Sequence, residues 1–158
     1  MTGKTHLIGG IAACQAADIF LFNNDGSFGF YAAGFIGALI PDICHTHSKI
    51  GRRLPVLSKV IGSIFGHRTF THSLLFLLLT NLLFLYFFPE QEAIRIGFLI
   101  GMISHYVLDA MTVRGIRLFY PAPLRFRIAK LRTGGKIEGF FLVCLTLFIC
   151  WLYLRYQM

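Results

Sequence analysis

Six histidines and seven acids are few enough to follow one by one, and several fall where an ionisable side chain has little reason to be. His6 opens one apolar run and Asp42 closes a second. His67 and His72 come just before a third, His105 and Asp109 end a fourth, and Glu138 opens a fifth. Burying such groups among apolar neighbours is costly, and they usually have a partner or a task. Imidazole and carboxylate are the donors that hold Zn²⁺, Mn²⁺ or Fe²⁺. His105 and Asp109 are four residues apart, so on a helix they share a face and can reach a common ion, with Thr112 extending the stripe. His67 and His72, five apart, diverge on a continuous helix; both reach one site only if a helix starts between them, near Thr71. An ion held by this set activates water near neutral pH, which is hydrolytic chemistry. His67, or Asp42 where it is not itself a ligand, would accept the proton as general base, while Arg68 and Arg114 would clamp an anionic phosphoryl group. Plainer uses exist for each residue. A buried His often only hydrogen-bonds, Asp42 after Pro41 suits a helix end, Asp109 suits a pair with Arg114 or Arg68, and Glu138 a pair with Lys136 or Arg132. His45 and His47 sit in a basic loop and read as solvated.

The elements that must bring these residues together are apolar. Hydrophobic residues make up 56% of 158 and charged ones only 14%, with mean hydropathy +0.67. A water-soluble globule of this length cannot hide so much apolar surface, and disorder is excluded for the same reason. The length predicts one domain over residues 1–158. Apolar stretches run over 6–22, 28–43, 73–88, 93–111 and 137–154, each at the short end of what spans a bilayer. The expected fold is all-α: an integral membrane bundle of about five helices with short interfacial helices between them. Gly97 and Gly101 precede His105 at helical spacing, and Gly34 and Ala38 lead to Asp42 in the same way, so neighbouring helices can approach closely there.

Charge orients the bundle. The net charge is +8. The 44–72 and 112–136 connections hold twelve Lys and Arg and no acid, whereas the short turns hold Asp25, Glu90 and Glu92 and no base. Basic short loops mark the cytoplasmic side, which puts the N-terminus and every candidate ligand inside and the C-terminus outside. Between Ile50 and Phe65 apolar positions recur at helical spacing beside Arg52, Arg53 and Lys59, as in a helix lying among headgroups. Aromatics and bases alternate from Leu118 to Lys130, a second interfacial segment; beside a bilayer this basic excess suits lipid phosphates rather than nucleic acid. Cys14, Cys44, Cys144 and Cys150 form no CxxC and mostly sit in apolar runs, where Cys acts as a small hydrophobe. The outer halves of the stretches are nearly free of ionisable groups, which argues against a transport path.

Three blocks carry a family resemblance: Pro41-Asp42-Ile43-Cys44-His45 through Gly51-Arg52-Arg53-Leu54, Gly66-His67-Arg68-Thr69-Phe70-Thr71-His72-Ser73, and Ser104-His105-Tyr106-Val107-Leu108-Asp109. With Thr5-His6-Leu7 and Gly134-Gly135-Lys136-Ile137-Glu138, the chain resembles the YdjM-like family of inner-membrane metal-dependent hydrolases. More distantly it is similar to the zinc-dependent phospholipase C and nuclease superfamily, which is all-helical and cleaves phosphoesters. The resemblance implies a multi-pass protein of a bacterial inner membrane. It implies His6, Asp42, His72, His105 and Asp109 as ligands of one or two divalent ions, zinc before Mn or Fe, with Asp109 bridging and Glu138 a further candidate. The expected substrate is a phosphoester, either a lipid or another phosphorylated molecule, with membrane lipids as the surroundings. A non-enzymatic metal-binding membrane protein is the alternative. Two departures stand out: Cys44 occupies a position where the family commonly has a second acid, and Gly134 stands where phospholipase-type sites have the His of a His-x-x-x-Glu pair.

Overall fold

The computed structural model describes residues 1–22, 26–66 and 68–156. Among them the fold is all-α. Helix α1 spans Gly3–Leu21, α2 Phe28–Gly37, α3 Pro55–Phe65, α4 Leu74–Phe87, α5 Glu92–Ala110 and α6 Lys136–Tyr156. Two 3-10 turns, Ile40–Cys44 and Phe70–His72, precede α3 and α4. Local chemistry sets several boundaries. The Ser27 and Ser73 hydroxyls accept from the amides of Phe30 and Phe76, each at 3.2 Å, and so cap α2 and α4. Pro41 disfavours helical geometry in the residue before it, and the 28–43 stretch accordingly divides into α2 and a 3-10 turn. Pro55, preset for a first turn, starts α3. The helix expected from Ile50 therefore begins five residues later, after a run of turns.

Two helices, α5 and α6, are long and apolar enough to cross a membrane. They differ in what surrounds them. α5 is the inner one, with 44% of its apolar window buried; in α6 the figure is 11%, and Phe140, Leu147 and Leu154 all point outward. No residue of α4 is fully buried either. An apolar outer surface of that kind suits lipid rather than water.

α5 packs against α1, α2 and α4, and α6 leans on α1. The α2–α5 crossing is a backbone-on-backbone contact. A Cβ at Gly97 would run into the Phe30 carbonyl, and one at Gly101 into the carbonyl of Gly34. Small residues let two apolar helices gain dispersion contacts along their backbones when lipid offers no hydrophobic drive between them. On α5, Met102, Tyr106 and Ala110 pack with Ile116 in a buried apolar cluster beside the polar groups described next.

The 112–136 connection is folded rather than loose. Thr112 and Leu131 form a parallel bridge, and Ile116 and Phe126 an antiparallel one, with Ile116 N–H donating to Phe126 O at 3.1 Å and Phe126 N–H returning to Ile116 O at 2.8 Å. This lays the connection across the ends of α4 and α5, the Leu74 amide donating to the Leu118 carbonyl and the Ile128 amide to that of Ala110.

Candidate metal centre

The chain arranges its polar residues at one end of the bundle. α1, α4 and α6 begin there and α5 ends there, so His6, the turns holding Asp42 and His72, the last two turns of α5 and Glu138 lie at one level. His105 and Asp109 share a face of α5, as their spacing requires. His72 comes from the 3-10 turn ahead of α4, and Asp42 from the turn that follows α2.

Asp42, His72, His105 and Asp109 each turn one ligand atom to a common point, and these atoms lie within 4.8 Å of one another. His72 Nε2 is 3.1 Å from His105 Nε2 and 3.5 Å from Asp109 Oδ2. His105 Nε2 is 3.7 Å from Asp109 Oδ2, and Asp42 Oδ1 is 3.7 Å from both imidazoles. A tetrahedral ion with bonds of about 2.05 Å holds its donors about 3.3 Å apart. The donor set and spacing therefore fit a divalent ion. His72, His105 and Asp109 are fully buried, whereas the Asp42 side chain is 17% exposed.

Two details strengthen the fit. Asp109 Oδ2 is buried and faces the His72 and His105 Nε2 atoms at 3.5 and 3.7 Å, the arrangement in which a cation between the three would satisfy the carboxylate oxygen. His105 Nδ1 lies 2.7 Å from the Ala38 carbonyl. Donation to that carbonyl leaves the Nε2 lone pair directed at the cluster, the usual support for a metal-binding imidazole. Thr71 Oγ1, 3.1 Å from His72 Nδ1, does the same for the second ring while also contacting Cys44 Sγ. Burial works against a charged His72, but hydrogen bonds with Asp109 and Cys44 and the charges of both carboxylates outweigh it, so its pKa is pushed up to about 9.

His6 belongs to the neighbourhood but not to the four. Its ring stacks on His105 with centroids 3.7 Å apart, and Nε2 is 3.3 Å from Asp109 Oδ1. Both His6 ring nitrogens are buried without a hydrogen bond. Asp109 Oδ1 also takes Arg68 Nη2 at 2.9 Å and the Met1 ammonium group. Arg68 Nη1 donates to Thr112 Oγ1 at 2.7 Å, so the guanidinium expected to clamp a phosphoryl group is also committed to the cluster's own carboxylate. Arg68 is the one non-glycine residue at positive φ, 61°, among those described, a conformation that costs about 1 kcal/mol.

Glu138 lies apart from the four. Its Oε1 accepts from the Thr2 amide and the Thr5 hydroxyl, each at 2.6 Å, and Oε2 from the Gly134 amide at 2.6 Å, so it ties α6 to the start of α1. His67 lies outside the described residues. His45 and His47 contact each other in the loop, the His47 amide donating to His45 Nδ1 at 3.1 Å. Sequence reasoning missed the Ala38 carbonyl, Thr71 beside His72 and the Met1 ammonium. The first and last are main-chain groups that leave no trace in residue type.

A cavity of about 420 Å³ opens beside the cluster, lined by Asp42, Arg68, Arg114, Arg132 and Met1 among others. Asp42 also lines a second cavity on its far side, with Lys4, Lys49 and Arg52. The surroundings of the exposed ligand are thus strongly basic.

Comparison with known proteins identifies the family. A family described as "YdjM inner membrane protein" matches residues 1–158. The chain is 50% identical over 157 residues to the Bacillus subtilis (strain 168) "Uncharacterized protein YvsG", covering 96% of this chain and 93% of that protein. It is 36% identical over 124 residues to the Escherichia coli (strain K12) "Inner membrane protein YdjM", 74% of this chain and 62% of the relative. A Shigella flexneri protein of the same name matches equally. No solved structure matches. A buried Asp/His cluster, apolar helices long enough to cross a membrane and a match along the whole chain place this protein in the YdjM family of inner-membrane proteins.

Proposed function

We propose that this protein is a membrane-embedded, metal-dependent phosphoesterase acting on a lipid or lipid-linked phosphate at the cytoplasmic face. The observation that carries the reading is the placement of Asp42: of the four donor residues it alone is partly exposed, and it faces a cavity lined with arginines. His72, His105, Asp109 and Asp42 would hold one ion, with zinc the best match to a compact two-His, two-carboxylate set. When bound, the ion supplies Lewis-acid polarisation of the phosphoryl oxygen and activation of water. Asp42 reaches the centre through Oδ1, which leaves Oδ2 to accept a proton from the attacking water. His67 is the other candidate base. Arg114 and Arg132 line the entrance and would orient an anionic phosphoryl group. Arg68 would share that task while neutralising Asp109 Oδ1. A second ion, through His6 and Asp109 Oδ1, would have to displace cations already bound to that oxygen, so a single ion is the simpler assignment.

In the same reading the 158 residues form one membrane domain with five spans. α1, α2 with its following turn, and α4 cross beside α5 and α6, with the N-terminus and the site inside. α3 would lie in the headgroup layer, since Val56, Leu57, Val60 and Ile64 are exposed on a helix bearing Lys59. A second reading, a metal held only for stability, rests on the four protein donors, which can fill a tetrahedron as structural sites do.

The deciding experiment measures metal content of detergent-purified protein together with phosphate release from phosphatidic acid and chromophore release from a chromogenic phosphate mono- and diester. Release that a chelator abolishes, that zinc or manganese restores, and that His105→Ala lacks is the expected result. Full metal content with no hydrolysis of any of these would overturn the reading in favour of the structural ion.

A further inference from the structure

We propose that a second, separate phosphoryl-binding subsite adjoins the metal centre, so that the protein takes substrates with two anionic phosphoryl groups, as in a diphosphate. The idea rests on the phosphoesterase reading for what sits at the metal, and on an independent cavity for the rest. That cavity, about 290 Å³, is lined by Arg68, Arg114, Arg117 and Arg125 together with Thr69, Gly115 and Ile116. It has room for roughly ten waters, and no acid lines it. Arg68 and Arg114 also line the cavity at the metal centre, so the two spaces share a wall of guanidinium groups.

The folding of the connection makes this a built site rather than a chance gathering of surface charge. The Ile116–Phe126 bridge sets two strand-like segments antiparallel, which places Arg117 opposite Arg125. Side chains directly opposite on such a pair share a face with Cβ atoms about 5 Å apart, and like charges there repel. Among the described residues no carboxylate pairs with Arg114, Arg117 or Arg125, and Arg117 Nε is buried with no hydrogen-bond partner. The Arg117 amide donates to the Arg68 carbonyl at 3.1 Å, fixing this pair to the residue that also holds Asp109. At Gly115, φ is +60° and a Cβ would meet the Phe126 carbonyl at 2.6 Å, so the turn that presents the arginines requires glycine. Arg114, Arg117 and Arg125 line one cavity with no carboxylate partner among the described residues, and planar guanidinium groups so placed match the oxygens of a phosphoryl dianion.

The test uses zinc-loaded wild type and the variants Arg125→Gln and Arg117→Gln in detergent, with zinc content as the check that the metal centre is intact. Arg125 is exposed, so its replacement leaves the packing alone. Calorimetry compares methylenediphosphonate with methylphosphonate. The expected result is at least tenfold tighter binding of the diphosphonate by wild type, and loss of that preference in both variants at unchanged zinc content. A preference that survives in both variants would come from chelation of the metal alone and would overturn the proposal, as would no preference in wild type. Repeating the titration in nanodiscs of phosphatidylglycerol and of phosphatidylcholine separates the other source of phosphate: if wild type shows the diphosphonate preference in phosphatidylcholine but loses it in phosphatidylglycerol, lipid headgroups occupy the arginines and the diphosphate subsite is refuted. Binding needs no turnover, so the two readings can fail separately. Diphosphonate preference without hydrolysis sinks the enzyme and spares the subsite; hydrolysis without the preference does the reverse.

Discussion

Asp109→Asn isolates what one carboxylate does in the cluster. Asparagine keeps the shape of the side chain and an oxygen for Arg68 Nη2, which donates to Asp109 Oδ1 at 2.9 Å. It removes the negative charge and one lone-pair donor, Oδ2, which faces the His72 and His105 imidazoles. A four-ligand zinc site is worth about 10–16 kcal/mol, so an even share for one ligand is about 2.5–4 kcal/mol. That corresponds to a loss of about 10²- to 10³-fold in zinc affinity. The assay is competition between the purified protein and a chromophoric chelator of known strength, with thermal unfolding of the metal-free forms run alongside. Asp42→Asn, at the exposed edge of the cluster, gives the same comparison with less disturbance of the interior. Zinc affinity within threefold of wild type in both folded variants would refute the four-donor centre.

Acid should weaken metal binding in a calculable way. His72, with its pKa pushed up to about 9 in the metal-free protein, is protonated at neutral pH and must lose that proton to bind an ion. Affinity should therefore rise about tenfold per pH unit up to about pH 9 and then flatten, with protons released into a weak buffer on zinc addition; a flat profile from pH 6 to 9 would contradict this. Gly101→Ala pushes a methyl group into the Gly34 carbonyl across the α2–α5 crossing. It should cost about 1–3 kcal/mol through overpacking, read as a fall in unfolding temperature, whereas Gly139→Ala, with open space around it, should be neutral. Reporter fusions after α4 and after α6 that are active only outside the cytoplasm should both be active, and fusions in the 44–72 and 112–136 connections silent. The reverse pattern would invert the topology.

The parts of this protein that were legible in its sequence are those governed by period and by cost. Four of the five apolar runs gave helices whose ends moved by only a few residues, because lipid-compatible segments admit few other structures, while the 28–43 run stopped as a helix at Gly37. His105 and Asp109 could be paired from a four-residue spacing alone, since both lie within one helix. The glycines at 97 and 101 were readable for the same reason. What resisted was set by tertiary contact. No local pattern separates His6, stacked outside the four donors, from His72 inside them. Glu138 reads as a possible ligand on the page, and in the fold it accepts from Thr2, Thr5 and Gly134, contacts that no spacing announces. The sequence read Arg125 and Arg127 only as part of an interfacial segment, because the Ile116–Phe126 bridge that sets Arg117 opposite Arg125 spans residues with no strand periodicity.

The close backbone contact between α2 and α5 at Gly97 and Gly101 has a mechanical consequence. With main chain resting on main chain at Gly97 and Gly101, there are no rotamers at the crossing through which one helix could creep past the other. If the pair crosses the bilayer as proposed, it would tilt as one unit when the bilayer thickens or thins, carrying His105 and Asp109 on α5 and Asp42 in the turn after α2. The spacing among these three donors would then be insulated from the thickness of the membrane around them.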